Sequence, residues 1–264
     1  MEQILKIILL GIVQGITEWL PISSTGHLKI FEHYLGLKTP ILFDITLHIG
    51  TLIVVLIFFR KEVIEILKAL AKLDFKTEYG QLIPLIIVGT IPTAVIGLIF
   101  GDLIEKSFQV IPPIAVAFTI CGLILYPTKI MKEKKDEITY LDVILIGIAQ
   151  GISIIPGISR SGITIATALL LGLKRDKAFK FSFLLSIPAI IGAFSLEFYK
   201  EHSQLTASGL SWTGILVGTV ITMVVGYLTL KLLWKIITKR KFYLFAYYCW
   251  ITAIILATLT ICGF

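Results

Sequence analysis

Gly11-Ile12-Val13-Gln14-Gly15-Ile16 returns 136 residues later as Gly147-Ile148-Ala149-Gln150-Gly151-Ile152. In both places a helix-length apolar piece (Ile4–Ile16, Leu141–Ile152) runs into residues rich in Pro, Gly, Ser and Thr. These are Thr17–His27 in the first copy and Ser153–Gly162 in the second. A short apolar piece follows each break, Leu28–Leu37 and Ile163–Leu173. Aligned without gaps, 12 of the 28 positions in 11–38 are identical in 147–174, with Ser23 on Ser159, Gly26 on Gly162 and Leu35-Gly36-Leu37-Lys38 on Leu171-Gly172-Leu173-Lys174. Apolar composition accounts for shared Ile and Leu. It does not account for matched Gly, Gln, Ser and Lys. Three long apolar runs then complete each half: Ile41–Phe59, Leu82–Phe100 and Val110–Tyr126, then Phe179–Phe198, Trp212–Leu233 and Tyr243–Gly263.

Composition fixes the solvent these runs face. Of 264 residues, 56% are hydrophobic and 16% charged, with a mean hydropathy of +0.94. Soluble domains carry about 25% charge, and disordered chains have low hydrophobicity, so both classes are excluded. The long runs are long enough to cross a bilayer, but neither piece of a broken segment reaches across about 30 Å at 1.5 Å per residue. A helix pair that enters and leaves on one face fits each broken segment, because non-helical backbone at depth is tolerated only within protein or around a watery cavity. Each half then crosses three times, and an odd number inverts the second half relative to the first, as in many transport folds. The expected fold is an all-α polytopic membrane protein, with six transmembrane helices and two re-entrant helix pairs in an inverted-topology repeat. It forms a single domain over 1–264, with halves of approximately 1–127 and 140–264 joined by a cytoplasmic loop at 128–139. No basic n-region or small-residue cleavage site marks the N-terminus as a signal peptide.

Charge tests the parity. On this topology one side holds 18 Lys and Arg, in the stretches 60–76, 129–135, 174–180 and 231–241. The other holds five, and Arg160 lies within a re-entrant segment. The positive-inside rule makes the first side cytoplasmic. Both termini then lie on the outer face of the cell membrane, and the two polar tips meet near the midplane. The net charge of +7 therefore belongs to topology and not to a nucleic-acid partner. Runs such as Lys132-Glu133-Lys134-Lys135-Asp136-Glu137 read as solvated loops. Cys121, Cys249 and Cys262 have neither disulfide-framework nor metal spacing. Trp19, Trp212, Trp234 and Trp250 fit interface belts or lipid contact.

Polar groups at bilayer depth are costly and mark function. Gln14 and Glu18, four apart, stack their oxygens on one helical face and suit a hard divalent cation or an oriented water. Pro21-Ile22-Ser23-Ser24-Thr25-Gly26-His27 leads into a short helix whose free N–H groups suit an anion. Its serines also suit plain capping, and His27 can exchange a proton near neutral pH. Pro156-Gly157-Ile158-Ser159-Arg160-Ser161-Gly162 repeats the design with Arg160 in place of Ser24. A guanidinium there can grip phosphate oxygens with two parallel bonds. Asp44 and His48 share one face of the second span and suit either interhelical packing or support of the site.

Together, Gln14-x-x-x-Glu18, the Pro21–His27 run and the Pro156–Gly162 run resemble the undecaprenyl-diphosphatase family of integral membrane enzymes linked to bacitracin resistance. The similarity covers the whole chain, including Phe43-Asp44. Gln14 takes the family's Gln option, which leaves Glu18 as this motif's only carboxylate. The resemblance implies hydrolysis of undecaprenyl diphosphate to the monophosphate carrier lipid plus phosphate, at a site open to the outer face, with Mg²⁺ or Ca²⁺ as cofactor. It places functional positions on Glu18, Ser24, His27, Ser159, Arg160 and Thr164. The chemistry expected is Ser24 attacking with His27 as base, or His27 activating a water. Ser23, Thr25 and Ser161 join Ser159, Arg160 and Thr164 as phosphate contacts, with Gln14 and Glu18 on the cation. The expected partners are the polyprenyl diphosphate and membrane lipids, with a homodimer left open. Inverted repeats also suit alternating access, so a flippase for the lipid monophosphate is the rival reading.

Overall fold

The computed structural model describes residues 2–35, 41–201 and 212–263, with side chains from Ile4 onward apart from 32, 35, 41–45, 201 and 212. Within them run α1 (Glu2–Thr17), α2 (Ser24–Leu35), α3 (Ile41–Phe58), α4 (Arg60–Ala71), α5 (Glu78–Ser107), α6 (Ile111–Leu125), α7 (Tyr140–Ile152), α8 (Arg160–Leu170), α9 (Arg175–Glu201), α10 (Trp212–Thr238) and α11 (Leu244–Ile261). Five of these, α5, α6 with its 3-10 extension to Lys129, α9, α10 and α11, are long and apolar enough to cross a membrane. The chain is an all-helical polytopic membrane protein. The apolar run Ile41–Phe59 becomes the 18-residue α3. Both breaks fall where the sequence places them, between α1 and α2 and between α7 and α8.

Two expectations need correction. The expected spans are too short: α5 overruns Leu82–Phe100 at both ends, starting from a Thr77 cap that accepts the Gly80 N–H. Its ends carry Glu78, Gln81, Asp102, Glu105 and Lys106, so hydropathy marks only the apolar middle. The basic stretch after α3 is also more than a loop. It forms α4, with Ile64, Leu67 and Leu70 exposed beside its charges. That pattern is typical of a helix lying in the membrane interface.

The 128–139 linker is not merely solvated either. Lys134 and Lys135 donate backbone N–H groups to Gly172 O, and Lys135 O accepts from Lys174 N. Arg175 and Arg240 both reach Glu133, at 3.1 and 3.3 Å. The linker is thereby tied to the α8–α9 turn.

The packing repeats as the sequence does. α1 lies along α10, α7 along α5, and α6 along α11. Thr222 Oγ1 donates to Gly11 O at 3.1 Å, and Thr93 Oγ1 donates to Gly147 O at 2.9 Å. Gly11 and Gly147 head the two copies of the repeat. Without a side chain, each lets a neighbouring backbone approach closely, as small residues do at membrane helix contacts. A Cβ on Gly147 would sit 2.2 Å from Gly89 O, which is rigid backbone. Gly147→Ala should therefore cost about 3 kcal/mol and lower the melting temperature in detergent by about 5–10 °C. Gly97→Ala, where a Cβ meets nothing within 4 Å, should leave it within about a degree. Equal melting curves for the two variants would contradict this account of the α5–α7 contact.

Candidate active site

The last turn of α1 continues through Glu18, whose N–H donates to Gln14 O at 2.9 Å. That turn stacks Gln14 and Glu18 as their spacing predicts. The chain then reverses at Ser23, which adopts a left-handed φ of +67°. This conformation is costly for a residue with a side chain and persists only where surroundings hold it. The surroundings are visible. Ser23 Oγ caps α2 by accepting the Gly26 N–H at 3.2 Å, and it also accepts the Gly157 N–H from the second tip at 3.0 Å.

The second tip turns at Gly157, with φ +103°. Ser159 then caps α8 by accepting the Gly162 N–H at 3.1 Å. The same hydroxyl reaches Leu20 O at 3.3 Å, and Ser161 Oγ donates to Trp19 O at 2.9 Å. Each tip thus satisfies backbone groups of the other. A Cβ on Gly26 would sit 2.9 Å from Gly157 N, and one on Gly157 would sit 2.8 Å from Ile114 O of α6.

Glu18 is the hub of this junction and is only 8% exposed. Its Oε1 accepts from Arg160 Nη2 at 2.9 Å. Its Oε2 accepts from Ser24 Oγ at 2.7 Å and from Gln14 Nε2 at 3.1 Å. Gln14 Nε2 also lies 3.2 Å from His48 Nδ1, so that nitrogen acts as acceptor. The Arg160 guanidinium sits over the rings of Trp19 and Phe183, at 5.4 and 5.8 Å, in cation–π range. Among the described residues, the buried polar atoms here with no hydrogen-bond partner are Arg160 Nη1, Gln14 Oε1 and Trp19 Nε1, of which the first two bear on ligands. One is a charged donor suited to an anion. The other is a neutral oxygen suited to a cation.

The structure therefore brings together Gln14, Glu18, Ser24, Arg160 and His48. It uses Ser23, Ser159 and Ser161 to staple the tips. His27 differs from the expected base beside Ser24: neither ring nitrogen faces that hydroxyl, which is given to Glu18. His27 Nδ1 donates to Ser23 O, and Nε2 lies against the Tyr248 hydroxyl, both at 2.8 Å. Thr164 is fully buried, donating to Arg160 O and paired with Ser182 at 2.6 Å. Thr25 is exposed in the first turn of α2 and makes none of the cluster's hydrogen bonds. The Asp44 side chain lies outside the described residues. Trp19 is no interface residue, being fully buried beneath Arg160. Its place directly after Glu18, inside a broken segment, was the available signal. Tyr248 and Phe118 had none, because each comes from a uniformly apolar helix. Beside His27 lies a partly open apolar cavity of about 300 Å³, lined by residues that include Val13, Leu20, Phe31 and Phe245.

Comparison with other proteins shows the family. Residues 7–255 match the family described as bacitracin resistance protein BacA. A protein of Carboxydothermus hydrogenoformans named undecaprenyl-diphosphatase is 43% identical over 263 residues, covering 97% of each chain. One of Halothermothrix orenii with the same name is 43% identical, covering 97% of this chain and 98% of its own. Another, of Methanosphaera stadtmanae, is 41% identical with 99% of each covered. This chain belongs to the BacA bacitracin resistance family.

Proposed function

We propose that the chain hydrolyses a polyprenyl diphosphate, undecaprenyl diphosphate in the first instance, to the lipid monophosphate and inorganic phosphate. One observation carries the reading. A buried carboxylate, Glu18, is shared between a hydroxyl and a guanidinium, and the guanidinium keeps a buried donor free of protein partners. Phosphoryl transfer depends chiefly on positioning and on stabilising the charge of the transferring group. Arg160 Nη1 and the N–H groups at the start of α2 and α8 are the donors for that charge. Ser24 already donates its proton toward Glu18. Glu18 is thus placed as the base as Ser24 Oγ bonds to the terminal phosphorus and the bridging P–O bond breaks. Water then releases phosphate from the serine. The apolar cavity beside His27 takes the isoprenoid units nearest the diphosphate. Relatives named for hydrolysis support this reading, and nothing in the site favours the flippase.

A divalent cation, Mg²⁺ or Ca²⁺, belongs to the proposal. Among the described residues no three His, Cys, Asp or Glu side chains group as a metal site. The donor set still fits a hard cation that fills its shell with substrate phosphates and water. Gln14 Oε1, buried and unpartnered, and the Glu18 carboxylate would hold it. Bound there, it would neutralise charge on the diphosphate.

The topology is proposed on the same footing. The broken segments are re-entrant, the halves are inverted, and the tips open outward from a cell membrane with both termini outside. The crossed serine staples and the paired threonine bonds support this arrangement.

The test is phosphate release from undecaprenyl diphosphate by purified protein, with and without EDTA, in detergent and in right-side-out vesicles. Metal-dependent release, with substrate added outside, is the expected result. No release from folded protein would overturn hydrolysis. Release unaffected by EDTA would remove the cation, and release only from the opposite side would reverse the orientation.

A further inference from the structure

We propose that Tyr248 is a positioning residue: its hydroxyl fixes the tautomer and plane of His27, and through His27 it holds the Ser23 turn that presents Ser24 to Glu18. The inference rests on the hydrolytic reading of this site, which does not itself involve Tyr248.

The argument begins with the imidazole. A backbone carbonyl can only accept, so the 2.8 Å contact with Ser23 O puts a proton on His27 Nδ1. In a neutral ring Nε2 is then bare and must accept. Tyr248, 2.8 Å away, donates its hydroxyl proton to it. The ring is also clamped between two aromatics. Phe118 meets it edge-on, with centroids 5.4 Å apart and planes at 88°, while Tyr248 lies nearly parallel at 5.7 Å and 26°. α6 and α11, the last spans of the two halves, thus converge on one side chain of the first tip.

His27 passes this constraint to the backbone. Ser23 O accepts from both the Nδ1–H and the N–H of His27. Those bonds fix the peptide that follows a left-handed Ser23. Next along the chain is Ser24, whose hydroxyl must meet Glu18 at 2.7 Å. Catalytic geometry is sensitive to displacements of about 1 Å. If Nε2 carried the proton instead, the bare Nδ1 would face a carbonyl oxygen, the bond would be lost, and the turn would be freed. Tyr248 prevents this by stabilising the tautomer with a bare Nε2. A hydrogen bond to the second ring nitrogen is a common way of setting which nitrogen is protonated.

The experiment pairs kinetics with a signature that packing alone does not set. Protein labelled with ¹⁵N-histidine is compared as wild type, Tyr248→Phe and His27→Gln, the last to assign the His27 signals among four histidines. Wild-type His27 should show the neutral Nδ1–H tautomer. Tyr248→Phe keeps the ring and loses the hydroxyl. It should show a mixture with the Nε2–H tautomer, with kcat for phosphate release about tenfold lower and KM within about twofold. Wild-type His27 protonated on Nε2 would overturn the proposal, and that spectrum needs no variant to fold. An unchanged tautomer or unchanged kcat in folded Tyr248→Phe would also overturn it. A change confined to KM would make Tyr248 a lipid contact instead. If wild type releases no phosphate, the hydrolytic reading fails, and the tautomer still decides the Tyr248–His27 link.

Discussion

Glu18→Gln should lower phosphate release by about 10³-fold, the range seen when a general base is removed. The substitution is isosteric and keeps an oxygen near Ser24. It loses the charge that accepts the Ser24 proton and pairs with Arg160 at 2.9 Å. It also leaves a guanidinium, whose side chain is 15% exposed, without its counter-charge. Breaking one partner of a buried pair costs about 3–5 kcal/mol, so the melting temperature should fall as well. The double variant Glu18→Gln with Arg160→Gln separates the two losses. With both charges gone it should regain much of the thermal stability and none of the activity. A folded Glu18→Gln protein that retained a tenth or more of wild-type turnover would remove the carboxylate from the chemistry.

Arg160→Lys should lower kcat/KM by about 10²-fold or more, because the ammonium keeps the charge and loses the fork. In the structure one arm of the guanidinium holds Glu18 while Nη1 is buried with no protein partner. Lysine offers one head for both duties and no planar face for Trp19. The salt bridge survives in kind, so Arg160→Lys should melt closer to wild type than Glu18→Gln does. Steady-state kinetics and melting curves on the same samples check both statements. Near-normal kcat/KM in a folded Arg160→Lys protein would show that the guanidinium only packs against Trp19 and pairs with Glu18.

What the sequence revealed here follows from the range of the forces involved. Local rules gave the local facts. The Gln14–Glu18 spacing predicted a stacked pair, and Ser23 and Ser159 preceded helix starts as caps do. The 136-residue repeat then predicted that two broken segments meet, which supplied Arg160 to Glu18 across 142 residues. Beyond that range the sequence carries no mark. The partner of His27 lies 221 residues away on α11, and one tyrosine among many apolar residues carries no periodic mark. Thr164 looked available because hydroxyls in a phosphate-binding motif look alike. Whether one faces a cavity or Ser182 is decided by how α8 packs on α9. Trp19 carries the same ambiguity: an aromatic residue at a membrane interface and one beneath a buried cation look alike in sequence.

The crossed staples carry a consequence for biogenesis. Trp19 and Leu20 give their carbonyls to Ser161 and Ser159, which follow them by 142 and 139 residues. At about 5–20 residues per second of synthesis, roughly 7–30 s pass between the two tips leaving the ribosome. On the proposed re-entrant topology the first tip would lack these partners throughout that interval, and hydrocarbon does not tolerate unpaired polar backbone. That topology then requires the nascent amino-terminal half to be sheltered at a wet or proteinaceous boundary until its counterpart arrives, with the junction closing as a late event of membrane insertion.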